Sequence, residues 1–313
     1  MDHQGHGLAL DHAIFNTPNK VVFPGVETPR QPQHVGQKSV LHPDGIGETF
    51  TLVAFEKPLP EGEWNPTIVN HEGFFTDVPG FENLAEGHSA KCLGSLSLAR
   101  QGTWFYWGYS ADPERLTDPA KDTLVNVLHY MAGKRGSLTV PFVNVTRQIF
   151  TVYLDLYHES GYLRGVEEHM PGQLVEETAA TYTDRTPAGA AAWLQKYGPY
   201  LFTGKGERHK SERYKQRYEI DDDAMALGTP NQLRKSLERW IELAEGPAGE
   251  DQQRAVRCLS RYVQPDLAPV HGAWTEWYAA QKDRIVFVES AGFWWLVDPR
   301  VLEREAAAAQ RSK

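Results

Sequence analysis

The sequence predicts an α/β part followed by a mainly helical part, and three observations carry this reading. An aromatic hairpin pattern at Ser95–Gly108 runs directly into a capped helix pattern ending near Gly133. Beyond Pro141 the apolar residues recur at helical spacing. Near the C-terminus two short β-prone runs bracket Gly292 and read as a small hairpin. The boundary falls near Gly136-Ser137, giving an α/β unit at 1–136 and a mainly helical unit at 137–313.

Taken in order, residues 1–47 are rich in Gly, Pro and His and read as extended chain and turns, with one apolar stretch at Val21-Val22-Phe23. Alternation sets in with Phe50, Leu52 and Ala54, and Thr67-Ile68-Val69 is a second short strand pattern. In the hairpin, Leu96 and Leu98 alternate with Ser95 and Ser97. Arg100-Gln101-Gly102 supplies a turn with Gly where a positive φ is needed, and Trp104-Phe105-Tyr106-Trp107 returns as a β-prone run. Thr117 or Asp118 caps the following helix, Pro119 suits its first turn, and Leu124, Val127, Leu128 and Met131 form its apolar stripe.

In the second part, Ile149, Tyr153, Leu156 and Tyr157 share one helical face, and Pro187 opens a helix carrying Trp193, Leu194 and Tyr197. Residues 204–219 are polar and charged and read as an exposed loop. Asp221–Leu227 is a short helical turn, its Asp221-Asp222-Asp223 run read as an N-terminal cap. Leu233, Leu237, Trp240 and Ile241 define a longer helix, Ala255, Cys258, Leu259 and Tyr262 the next, and Trp274, Trp277 and Tyr278 another. Ile285–Val288 pairs with Phe293–Val297, and Pro299 begins a terminal helix.

The bulk properties exclude several classes. With 313 residues, 41% apolar and 23% charged, the chain has the composition of a globular protein with a sizeable core. A net charge of −9 speaks against nucleic acid, because phosphate backbones require clustered cations. The one basic cluster, Arg208–Arg217, is interleaved with Glu207 and Glu212. No 18-residue apolar run is present to span a membrane, and the first residues lack the pattern of a signal peptide. Cys92 and Cys258 stand alone, which rules out a disulfide framework and a structural zinc site.

Several segments resemble a known family. Leu10-Asp11-His12-Ala13-Ile14-Phe15, Gly87-His88-Ser89-Ala90-Lys91 and Ala99 to Pro113 resemble, in order, motifs of the trehalose-utilization (ThuA-like) family, and the helix around Leu124-Val125-Asn126 fits that domain's closing helix. The resemblance covers residues 8–135. It implies the C-terminal portion of a flavodoxin-like sheet similar to class I glutamine amidotransferases, and a carbohydrate-associated bacterial protein. Ala13 replaces the family's proline. Cys92 precedes a hairpin rather than a strand-to-helix turn, so amidotransferase chemistry is not implied. A partial sheet leaves an edge to be covered by the helical part or paired with a second chain as a homodimer. The residues beyond it resemble regions of no assigned activity that follow such domains in environmental bacteria.

The candidate chemistry divides three ways. His71 and Glu72 follow a predicted strand, where a His beside a carboxylate can act as an acid–base pair, and His88 and Asp112 join them if the hairpin packs as in the family. His3, His6 and His12, with Asp2 and Asp11, carry ligand types suited to a divalent transition metal, though scattered histidines also suit a flexible terminus. His158-Glu159 and Glu167-Glu168-His169 are a further metal or acid–base grouping, equally consistent with solvated helix ends. Nine tryptophans are abundant for this length, and Trp104, Trp107 and Tyr109 are candidate substrate-binding rings. Trp294 and Trp295 are adjacent, so on a strand one of them faces outward. Two functions stay open: a hydrolase acting on sugars or glycosides, and a non-catalytic module that binds a glycan, small molecule or protein.

Overall fold

A computed structural model describes residues 4–23, 49–51, 77–89, 92–109, 113–134, 136–140, 146–147, 151, 174–203, 217–269 and 273–311. The chain divides into two compact units, residues 1–140 together with 302–313, and residues 141–301.

The first unit carries strands β1 (Gln4–His6), β2 (Thr49–Thr51), β3 (Glu82–Ser89), β4 (Cys92–Gln101) and β5 (Trp104–Trp107), followed by helix α1 (Asp118–Ala132). The strands form one sheet in the order β2-β1-β3-β4-β5, every neighbouring pair antiparallel. The molecule is thus mixed α and β. A flavodoxin-like sheet is built from parallel strands joined by crossover helices. The strands described here are joined instead by direct antiparallel pairing, which needs no crossover.

The β4–β5 hairpin turns at Gly102, whose φ is +59°. A Cβ there would lie 2.2 Å from the carbonyl oxygen of Leu138, so both the backbone conformation and the available space require glycine. The register sets Leu98 opposite Trp107 and Gln101 opposite Trp104.

Thr117 caps α1 by accepting from the Ala120 N–H. Its buried face is Ala120, Thr123, Asn126 and Val127, whereas Leu128 is 66% exposed. Of the expected apolar stripe, Leu124, Val127 and Met131 pack against the core and Leu128 does not, while a polar side chain joins the interface. Asn126 Nδ2 donates to the carbonyls of Ile14 (3.0 Å) and Asn19 (2.7 Å), and its Oδ1 accepts from the Asn19 N–H (2.9 Å). These bonds seat the Ile14–Asn19 segment on α1, and Ile14, Phe15, Leu84, Leu98 and Val127 share the core beneath it.

The second unit contains α2 (Glu176–Thr181), α3 (Pro187–Tyr197), α4 (Asp222–Ala226), α5 (Arg234–Ala244), α6 (Glu250–Tyr262) and α7 (Trp274–Gln281). It also holds two antiparallel ladders, β6 (Leu201–Thr203) with β7 (Tyr218–Ile220) and β8 (Ile285–Val288) with β9 (Trp294–Val297). Helix α8 (Pro299–Arg311) follows, its residues from Leu302 onward belonging to the first unit. Trp240 of α5 and Tyr262 of α6 stack with centroids 5.3 Å apart, among Leu237, Cys258 and Leu259. Trp240 Nε1 donates to Thr229 Oγ1 at 2.7 Å, so this buried ring keeps its hydrogen bond. Among the described residues no helix is long and apolar enough to cross a membrane.

Candidate functional site

The second unit holds an open cavity of about 430 Å³, lined by four separate parts of the chain. The β6–β7 ladder places Phe202 directly opposite Glu219, so a ring and a carboxyl leave the same face of the ladder. Thr203 follows Phe202 at the end of β6. Helix α6 contributes Arg257, Ser260 and Arg261, which the i, i+3, i+4 spacing sets on one face. The turn entering β9 supplies Gly292, Phe293 and Trp294.

Local sequence explains how each group is held. Asp221 caps α4 through Oδ1, which accepts from the Ala224 N–H at 3.0 Å. Its Oδ2 accepts from the Tyr262 hydroxyl at 2.6 Å and pairs with the Arg261 guanidinium. Asp223 takes two hydrogen bonds from Arg257, at 2.9 and 2.6 Å. Both arginines are therefore fixed by carboxylates at the start of α4. They use only part of their hydrogen-bonding capacity there, since a guanidinium carries five N–H donors. The Arg261 guanidinium also lies 5.0 Å from the centre of the Phe202 ring.

Phe293 has a φ of +58°, the one positive φ outside glycine among the described residues. Hydrogen bonds from the Gly292 and Phe293 N–H groups to the Glu289 carbonyl tighten this turn. The buried Phe293 ring packs edge-on against Tyr218 and Phe287. Packing thus holds a backbone conformation that costs free energy, and it fixes the direction in which Trp294 leaves the turn. Trp294 is half-buried at the cavity, while Trp295 is buried in the core.

Burial raises the Glu219 carboxyl above the ordinary carboxylate range. Arg261 opposes this, and Glu177 and Asp221 reinforce it. Asp223 moves the other way, held low by the hydrogen bonds and charge of Arg257 against a desolvation that works to raise it. Thr203 is 8% exposed, and its Oγ1 is buried with no hydrogen-bond partner among the described residues.

The residues singled out from sequence fall elsewhere. His71, Glu72, Asp112 and His3, with the His158–His169 grouping, lie outside the described residues. His6 and His88 fall on β1 and β3, and of these two residues only the backbone is described. His12 Nδ1 accepts from the Ile14 N–H at 3.3 Å, capping the turn at Ala13–Phe15, and Nε2 faces Glu82 Oε2 at 3.8 Å. Nδ1 is thus engaged in the cap. Among the described residues no three His, Cys, Asp or Glu side chains are grouped to hold a metal ion. Trp104 is 39% exposed beside Tyr106, with ring centroids 5.7 Å apart. Trp107 packs against the core, and Tyr109 is 4% exposed.

The cavity residues were missed from sequence because they lie on β6, β7, α6 and β9, which no spacing rule connects. The one signal in the sequence was the Trp294-Trp295 pair, of which one ring had to face outward. No protein-family model, curated protein or solved structure matches the chain.

Proposed function

We propose that this protein is a saccharide-binding module whose site is the cavity of the second unit. The observation that carries this reading is the lining itself. The half-buried Trp294 indole lines the cavity together with the Phe202 ring, beside a guanidinium pair and a carboxyl, Glu219, that burial raises. A sugar offers the matching surface, with an apolar C–H face for the rings and hydroxyls that donate to a carboxyl while accepting from a guanidinium. The near balance of charge favours a neutral polyol over a strong anion, since Asp221 and Asp223 already pair with both arginines. The volume suits a small ligand. The resemblance of residues 8–135 to sugar-utilization proteins points to the same ligand class.

A glycoside hydrolase is the second reading, favoured by one observation. A carboxyl raised above its usual range, as Glu219 is, has the protonation behaviour that a general acid needs.

Calorimetric titration with a panel of methyl hexosides and disaccharides tests the binding reading. At least one sugar is expected to bind, with Trp294→Ala and Arg257→Met each weakening it about tenfold, some 1.4 kcal/mol. Absence of binding across the panel, or unchanged affinity in both variants, would overturn it. Release of a nitrophenol from aryl glycosides, abolished by Glu219→Gln, would select the hydrolase.

A further inference from the structure

Resting on the saccharide reading, we infer that Tyr262 is the positioning residue of the cavity: its hydroxyl holds Asp221, and Asp221 holds Arg261 ready for the sugar. Arg261 and Tyr262 are neighbours in α6, and roughly 100° separates successive side chains on a helix. One can therefore stand on the cavity wall while the other enters the core. The Arg261 side chain is 29% exposed, whereas Tyr262 is fully buried and stacked on Trp240.

The direction of each hydrogen bond behind Arg261 follows from donor and acceptor chemistry. Arg147 Nη1, which can only donate, lies 3.0 Å from Asn231 Oδ1. Asn231 Nδ2 lies 3.0 Å from the Leu201 carbonyl, which can only accept. These two contacts orient the amide, and its second N–H donates to the Tyr262 oxygen at 3.1 Å. A phenol has one proton to give. Here it goes to Asp221 Oδ2, 2.6 Å away. Asp221 Oδ1 meanwhile accepts from the Ala224 N–H at 3.0 Å. Both carboxylate oxygens are thus held by buried or backbone donors, and Arg261 Nη1 pairs with Oδ2.

This arrangement bears on binding through conformational entropy. An arginine on the wall of an open cavity has many rotamers, and ordering it when a ligand arrives costs affinity. Arg261 is ordered beforehand, between the buried Asp221 carboxylate and the Phe202 ring, whose centre lies 5.0 Å from the guanidinium. Its pairing with Asp221 leaves further N–H donors for the hydroxyl oxygens of a sugar. Arg257 differs, since it is 50% exposed and pairs with an Asp223 side chain that is itself 16% exposed. Arg261 is therefore the preorganised donor of the pair, and the Tyr262 hydroxyl is what makes it so.

The test is Tyr262→Phe, which keeps the ring on Trp240 and removes the hydroxyl alone. NMR relaxation of the arginine Nε–H groups, measured without sugar, is expected to show Arg261 more mobile in the variant and Arg257 unchanged. Asp221→Asn, which retains a capping side chain, is expected to release Arg261 in the same way. Calorimetry with the best-binding methyl hexoside is expected to show about a fivefold loss for Tyr262→Phe and about tenfold for Arg261→Met, with the double variant no weaker than Arg261→Met alone.

Unchanged Arg261 mobility in both variants would overturn the inference, whatever the sugar result. Losses that multiply in the double variant would overturn it too, because Tyr262 would then act on the sugar by another route. Failure of wild type to bind any sugar would overturn the saccharide reading, and the relaxation measurement would still decide whether Tyr262 positions Arg261.

Discussion

The Arg100 guanidinium holds the carboxylate of Glu303 at 3.1 Å, although the two residues stand 203 positions apart in the chain. Arg100 is 2% exposed and also meets Glu82 at 3.2 Å and the Gly102 carbonyl at 2.9 Å. Lys134 reaches the same Glu303 oxygen, and the Tyr130 hydroxyl donates to Glu82. Each charge in this group has an opposite partner, and the group fastens the start of the chain's last segment to β4. Replacing Arg100 by Met takes from Glu82 and Glu303 the buried cation they share, leaves the Gly102 carbonyl without its donor, and is expected to cost about 3 kcal/mol in urea denaturation. Glu303→Gln, at a partly exposed position, is expected to cost about 1 kcal/mol or less. A loss in Arg100→Met no greater than in Glu303→Gln would contradict this account.

The same group sets an acid limb on stability. Desolvation lowers His12 from its usual value of 6.5, with Glu82 opposing and Lys134 and Arg100 reinforcing. The fold therefore prefers the neutral ring. The unfolded chain takes the proton first, so stability is intact above pH 6.5 and declines as pH falls below it. Desolvation works to raise Glu303, but Arg100 and Lys134 outweigh it and hold the group low, so its contribution is present above 4.5 and lost at lower pH. His12→Asn keeps a capping side chain and removes the upper part of the decline. Melting temperatures measured from pH 5 to 8 should converge for the two proteins toward the acid end, and parallel curves would refute the assignment.

Asn126 ties three backbone groups of the Ile14–Asn19 segment to α1. Asn126→Leu leaves these groups buried and unpaired, at a cost of about 2–3 kcal/mol. Hydrogen exchange at the Asn19 amide should accelerate in the variant. Unchanged exchange would mean that the segment is held by other contacts.

At the cavity, Glu219 gives a pH dependence of the opposite sense. Its carboxyl is raised, so the fold prefers the protonated form, and stability is fully present below 4.5 and falls as pH rises through the raised value. Glu219→Gln should remove that decline and stabilise the protein at neutral pH. A variant less stable than wild type at pH 7 would show that the carboxylate is favoured where it stands.

Adjacent tryptophans separate structure from site. Trp295→Ala empties a core position and is expected to cost about 3–5 kcal/mol. Trp294→Ala removes a half-buried wall of the cavity and is expected to cost far less stability while weakening sugar binding. Equal destabilisation by the two would place Trp294 in the core as well.

The sequence by itself determined the local elements whose cause is local. The Gly102 turn, a cap for α1 at Thr117 or Asp118, the Asp221 cap and the Ile285–Val297 hairpin all follow from the conformational preferences of a few neighbouring residues. It also determined that Trp294 and Trp295 face opposite ways, because strand side chains alternate. Tertiary structure alone decided which way each faces, which rim of α1 is buried, and the antiparallel order of the sheet. Periodicity marks an apolar stripe, but a polar residue such as Asn126 joins the interface only when partners arrive from far along the chain. The cavity has the same origin. Thr203, Glu219, Arg261 and Trp294 are brought together by long-range packing, which minimises buried unpaired groups over the whole unit, and no local pattern records the result.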